Sequence, residues 1–149
     1  MTLFVDTSAL YALLVASEAD HSAVREVFRK AAERGRPMVT TSYVVVETSA
    51  LLQHRIGLAP VRDLDRKILP LLQVAYVDAA LHRRGVNRLF RLDRRRISLV
   101  DAVSFEMMDA EGIADVLALD ADFAGDFLDA HRTPARKPAQ SNHRVRPAG

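Results

Sequence analysis

At 149 residues, with 49% apolar and 27% charged side chains, the chain suits one domain with a packed core. Cysteine is absent, which excludes disulfides and thiolate metal sites, and no run reaches the ~18 apolar residues of a membrane span. The formal charge of +2 is unevenly spread: of 21 basic residues, Arg136, Lys137, Arg144 and Arg146 follow Arg132 with no acid among them, so residues 1–132 keep the other 17 against 19 acids.

Met1-Thr2-Leu3 has neither a basic n-region nor a cleavage site, so a cytoplasmic protein is expected. Leu3 to Val5 reads as a short buried strand, and Thr7 to Val15 as a helix. After a polar break, Val24, Val27, Phe28 and Ala31 recur at helical spacing within 21–34, and Gly35 ends that helix. Pro37 to Thr40 is a second strand. Thr41 or Ser42 caps a helix running to about Arg55, before Gly57. Pro60 suits a first helical position, and the helix from there should stop near Pro70. Val74 to Val77 is a third strand, and Asp78 caps a helix through Phe90. Ser98-Leu99-Val100-Asp101 has the form of a capping box for a helix to Glu111, closed by Gly112. Val116 to Leu119 is a fourth strand, and Phe123 to Leu128 a last short helix. Strands separated by helices predict a parallel sheet of four to five strands covered by helices on both faces. The tail 133–149, basic and rich in polar residues and proline, is expected to be disordered and to lie outside a domain of residues 1–132.

Four acids interrupt apolar surroundings. Asp6 ends Leu3-Phe4-Val5, and Glu47 breaks Tyr43-Val44-Val45-Val46. Asp101 follows Ile97, Leu99 and Val100, and Asp120 closes Val116-Leu117-Ala118-Leu119. An ionised carboxylate in an apolar setting costs several kcal/mol unless a cation or donors compensate it. Ligands of open α/β sheets gather at strand carboxyl ends, where Asp6 and Asp120 are placed. Glu47 and Asp101 are expected on the inward faces of their helices. The four are therefore assigned to one cleft holding a divalent metal. Hard oxygen donors without cysteine favour Mg²⁺, with Mn²⁺ possible, over zinc. A pair of such ions activates water and stabilises the leaving oxygen of a phosphodiester. Structural readings stand beside this one: Asp6 and Asp120 also fit helix caps, and Asp101 fits an acid favoured by the helix dipole. Glu47, mid-helix, has no such alternative.

The segments Val5-Asp6-Thr7-Ser8-Ala9-Leu10, Glu47, Ser98-Leu99-Val100-Asp101-Ala102 and Ala118-Leu119-Asp120-Ala121-Asp122-Phe123 resemble, in order and spacing, the PIN domain, and within it the VapC-type toxin ribonucleases of toxin–antitoxin pairs. The resemblance spans residues 1 to about 130. It implies a three-layer PIN fold and metal-dependent endonucleolytic cleavage of RNA. Asp6, Glu47, Asp101 and Asp120 become the catalytic, metal-binding acids. Asp122 becomes an outer-shell acid, and the Ser8 hydroxyl a support for a carboxylate or water. The resemblance also implies a VapB-type antitoxin whose C-terminal segment covers the site, and a homodimer; no membrane partner is expected. In one departure, Ala118-Leu119 stands where the family often has Thr or Ser shortly before the last acid.

Arg83, Arg84, Arg88, Arg91, Arg94, Arg95 and Arg96 crowd the stretch before Asp101 and suit either a phosphate backbone or a solvated face. Tyr11 and Phe90 can stack a base, though core packing is the simpler reading of both. His54, two turns after Glu47, can approach the cleft but fits a surface role better. A phosphatase with Asp6 as nucleophile wants an acid at position 8, which is Ser. A housekeeping RNA-processing nuclease would carry the same site. A catalytically silent binding module would be expected to lose acids that this chain keeps.

Overall fold

The computed structural model describes residues 1–119. Asp120, Asp122, the Phe123–Leu128 segment, the boundary at 132 and the tail all lie outside the described residues. The chain alternates strand and helix: β1 (Leu3–Val5), α1 (Thr7–Leu14), α2 (His21–Glu33), β2 (Met38–Thr41), α3 (Ser42–Arg55), α4 (Leu58–Asp63), β3 (Gln73–Ala75), α5 (Ala79–Leu92), α6 (Leu99–Glu111) and β4 (Asp115–Leu117). The strands form one parallel sheet in the order β3-β2-β1-β4. This is the expected α/β sandwich, a parallel sheet flanked by helices. Every residue of β1 and β2 is buried, as central strands covered on both faces require, whereas β3 and β4 are partly exposed. Phe4, Leu10, Val44, Leu52, Val103, Phe105 and Met108 are at the centre of the core. Among the described residues no helix is long and apolar enough to cross a membrane.

Short polar side chains set the helix starts. Asp6 Oδ2 accepts from Ser8 N, Thr41 Oγ1 from Val44 N, Asp78 Oδ1 from Leu81 N and Ser98 Oγ from Asp101 N. Gly112, at φ 66°, ends α6 in the left-handed conformation that glycine adopts without penalty. The helix expected from Pro60 differs. It starts at Leu58 after Gly57, widens into a π turn over Leu64–Ile68 and passes Pro70 in a 3₁₀ turn, Leu69–Leu71. Pro70 lies at the start of that turn, where its missing N–H goes unused, and the helical run ends at Leu71, near Pro70 as expected. Strands β3 and β4 end two residues early, at Ala75 and Leu117, and serine side chains take the amides two positions beyond each end. Ser42 Oγ accepts from Val77 N at 2.9 Å, and Ser8 Oγ from Leu119 N at 2.9 Å.

Helices α5 and α6 pack closely. A Cβ on Gly85 would lie 2.3 Å from Val103 Cγ2, so only glycine permits this approach. One turn further on, Arg88 is 4% exposed. Its guanidinium pairs with Asp109 and with Glu106 at 3.5 Å, and lies 5.4 Å from the Phe105 ring centre. Both readings of Arg88, a phosphate contact and a solvated face, are thereby corrected: it is a buried tie between two helices. Phe90, expected to favour the core, is 73% exposed instead, because it lies on the α5 face opposite Arg88 and Leu81.

Candidate active site

The strand order places the site. From β1 the chain steps outward to β2 and β3, then crosses back to lay β4 on the other side of β1. The chain leaving β1 goes to β2 on one side, while β4 lies on the other side of β1, so the strand order reverses there and a crevice opens at the carboxyl ends of β1 and β4. Asp6 follows β1 directly, and Asp6 N donates to Leu117 O at 3.0 Å across the crevice floor. The first turn of α1 ties this floor together: Ser8 Oγ accepts from Leu119 N and donates to Asp6 Oδ2 at 3.2 Å.

Above it opens a cavity of about 510 Å³ lined by Asp6, Glu47 and Asp101, with Thr7, Ser8, Tyr11, Arg55 and Ser98 among its other walls. Three elements far apart in sequence supply the acids: Asp6 caps α1, Glu47 is in α3, and Asp101 stands in the first turn of α6. Asp6 is 5% exposed, while Glu47 and Asp101 are half-buried. Glu47 differs slightly from expectation. The buried stripe of α3 is Val44, Thr48 and Leu52, and Ala50 is exposed, so Glu47 stands at the edge of that stripe, facing the cavity. Asp101 has a structural role as well: its Oδ2 accepts from Ser98 N at 3.0 Å in a full capping box that fixes its carboxylate at the rim. Asp120 and Asp122 fall outside the described residues.

Burial pushes the Asp6 carboxyl from 3.8 up to about 6. That value already includes the Asp101 charge, which adds to the rise, and the backbone N–H groups of Thr7 and Ser8 and the Ser8 hydroxyl, which oppose it. A cation in the cavity would remove this penalty. Thr7 Oγ1, also in the cavity wall, is buried without a hydrogen-bond partner among the described residues. The donors are all hard oxygens, as Mg²⁺ or Mn²⁺ prefers. No group of three or more carboxylate or imidazole side chains closes on one point among the described residues.

None of the crowded arginines 83–96 lines this cavity; Arg55 does. Arg55 and Leu51 continue the stripe begun by Glu47, at four-residue steps along α3. His54, one position earlier, is exposed and outside the cavity. Tyr11 is half-buried in the cavity wall, with the Arg55 guanidinium 5.2 Å from its ring centre. The four-residue step from Glu47 through Leu51 was the available signal for Arg55; Glu18 and Asp20, also in the wall, had none.

A family profile for the PIN domain matches residues 3–125. The chain belongs to the PIN domain family. Within that family its relatives are VapC ribonucleases. It is 34% identical over 123 residues to the 23S rRNA-specific endonuclease VapC20 of Mycobacterium tuberculosis, covering 82% of this chain and 92% of that protein. It is 31% identical over 123 residues to ribonuclease VapC26 of the same species, covering 79% of this chain and 86% of that one. The crystal structure of M. tuberculosis VapC20, described as a sarcin–ricin loop cleaving toxin, superposes with a TM-score of 0.73 at 32% identity, over 83% of this chain and 94% of that one. A PIN domain therefore carries the cavity, as the order and spacing of the acid motifs implied.

Proposed function

We propose that the chain is a metal-dependent endoribonuclease of the VapC type, the toxin of a toxin–antitoxin pair, cutting structured ribosomal RNA. One observation carries the reading: Asp6, Glu47 and Asp101, from three separate elements, line a single cavity at the crevice of a PIN-family sheet. The names of the VapC20 and VapC26 relatives support ribonuclease activity, and the VapC20 name supports 23S rRNA as the substrate class.

In this reading Asp6, Glu47 and Asp101, joined by Asp120, hold Mg²⁺ or Mn²⁺. The bound ion supplies activation of the attacking water and stabilisation of the leaving oxygen. The protein's part is to keep the carboxylates in place before RNA arrives. Ser8 holds Asp6 Oδ2 by its hydroxyl and its backbone N–H, and Ser98 holds Asp101. The rigid first turns of α1 and α6 thus orient two ligands through their caps, which makes capping and metal binding compatible roles of the same residues. Asp122 is assigned to the outer shell. A VapB-type antitoxin with a basic segment is the proposed inhibitor, since the cavity wall is rich in acids, and a homodimer is the proposed assembly.

The test is to incubate purified protein with a labelled 23S rRNA fragment containing the sarcin–ricin loop, with Mg²⁺, with Mn²⁺ and with chelator. Cleavage with either ion and none in chelator is expected; cutting that survives chelation contradicts the mechanism. Growth arrest on expression, relieved by the product of a neighbouring short gene, separates a toxin from a housekeeping nuclease.

A further inference from the structure

We propose that Arg55, held against Tyr11, is an RNA-binding residue that takes a phosphate flanking the scissile one; this rests on the ribonuclease reading above. A cavity walled by acids repels a polyanion, and metal at the acids relieves that repulsion only locally. Among the described residues lining the cavity, Arg55 is the one cation. It lies eight residues after Glu47 on α3, a rise of about 12 Å. A residue so far along the helix addresses a neighbouring nucleotide, not the reacting one.

The contact with Tyr11 makes Arg55 more than a solvated surface charge. The side chain is exposed, so it is open to ligand, yet its guanidinium lies 5.2 Å from the Tyr11 ring centre. Covering the ring face limits the rotamers of a flexible side chain and leaves the N–H edge as its donor surface. Tyr11 is on α1, whose N-terminus carries Asp6, and Arg55 is on α3, which carries Glu47. The stacked pair therefore spans the same two helices that bring those two acids together. Arg55 is a substrate-positioning residue, and Tyr11 positions Arg55.

The experiment measures binding of a fluorescein-labelled sarcin–ricin hairpin RNA, in Mg²⁺, to Asp101→Asn protein with and without Arg55→Ala. Loss of one phosphate contact should make the slope of log affinity against log salt shallower by about 0.7. Arg55→Lys should retain the slope with weaker binding, and Tyr11→Leu should weaken binding without matching the full loss of Arg55→Ala. In the otherwise wild-type protein, Arg55→Ala should raise KM for the same RNA several-fold with kcat nearly unchanged. An unchanged salt slope, or tighter binding in Arg55→Ala, overturns the assignment. The binding arm reads out without cleavage: if the wild type does not cut RNA, the ribonuclease reading fails, while the salt slope still decides the role of Arg55.

Discussion

Replacing Asp6 by Asn should stabilise the metal-free protein, by an amount that depends on pH. The folded-state carboxyl titrates at about 6 against 3.8 for the ordinary side chain, chiefly because it is buried. A carboxyl pKa raised by folding means that the folded state binds the proton more tightly. Its contribution to stability is intact below pH 3.8 and is lost as pH rises through about 6. A shift of roughly two units corresponds to about 3 kcal/mol at full ionisation. Asn keeps the cap, because its side-chain oxygen serves an N-cap as well as Asp does. The variant should therefore exceed wild type by about 1 kcal/mol at pH 4.5 and by about 3 kcal/mol at pH 7.5. Urea denaturation in chelator, followed by circular dichroism across that range, measures the difference and cancels the other carboxyls. Added Mg²⁺ or Mn²⁺ should then raise the wild-type midpoint and leave the variant's nearly unmoved. Parallel pH profiles for the two proteins, or a wild type that is the more stable at pH 7.5 without metal, would refute the assignment of burial as the dominant force on Asp6.

Asp101→Asn should abolish RNA cleavage while leaving the thermal midpoint within a few degrees of wild type or above it, since Asn still accepts from Ser98 N and repulsion with Asp6 is relieved; a labelled-RNA assay beside a melting curve checks both. Arg88→Leu removes the buried guanidinium that ties α5 to Glu106 and Asp109, both of which keep access to solvent, and should lower stability by about 1–3 kcal/mol in urea. Gly85→Ala forces a methyl against Val103 and should cost about 1–3 kcal/mol. Much of that loss should return in Gly85→Ala/Val103→Ala, so an additive double-mutant cycle would show that the two side chains do not meet.

Four helix starts were legible in the sequence because a cap acts within three residues. Asp6, Thr41, Asp78 and Ser98 each bond an amide two or three positions ahead, and such signals need no knowledge of the rest of the molecule. Strand positions were legible for the same reason, but their last residues were not. Leu119 and Val77 leave the sheet for serines 111 and 35 positions away. The acids at 6, 47 and 101 stood out because each broke an apolar pattern, and the cavity contains all three. The arginines could not be sorted that way. Arg88, inside the core, and Arg83, in solvent, belong to one basic run, and only the facing acids of α6 distinguish them.

By itself, the order of residues determined the alternation of strands and helices, the caps that begin the helices and the acids out of keeping with their neighbours. These depend on periodicity and on bonds spanning a few positions. The tertiary structure alone decided that β4 returns beside β1, so that a crevice opens over Asp6, and that Arg55 rather than the basic run reaches it. The physical reason is that packing energy joins residues according to which faces meet, and no local pattern records which distant face a side chain will find.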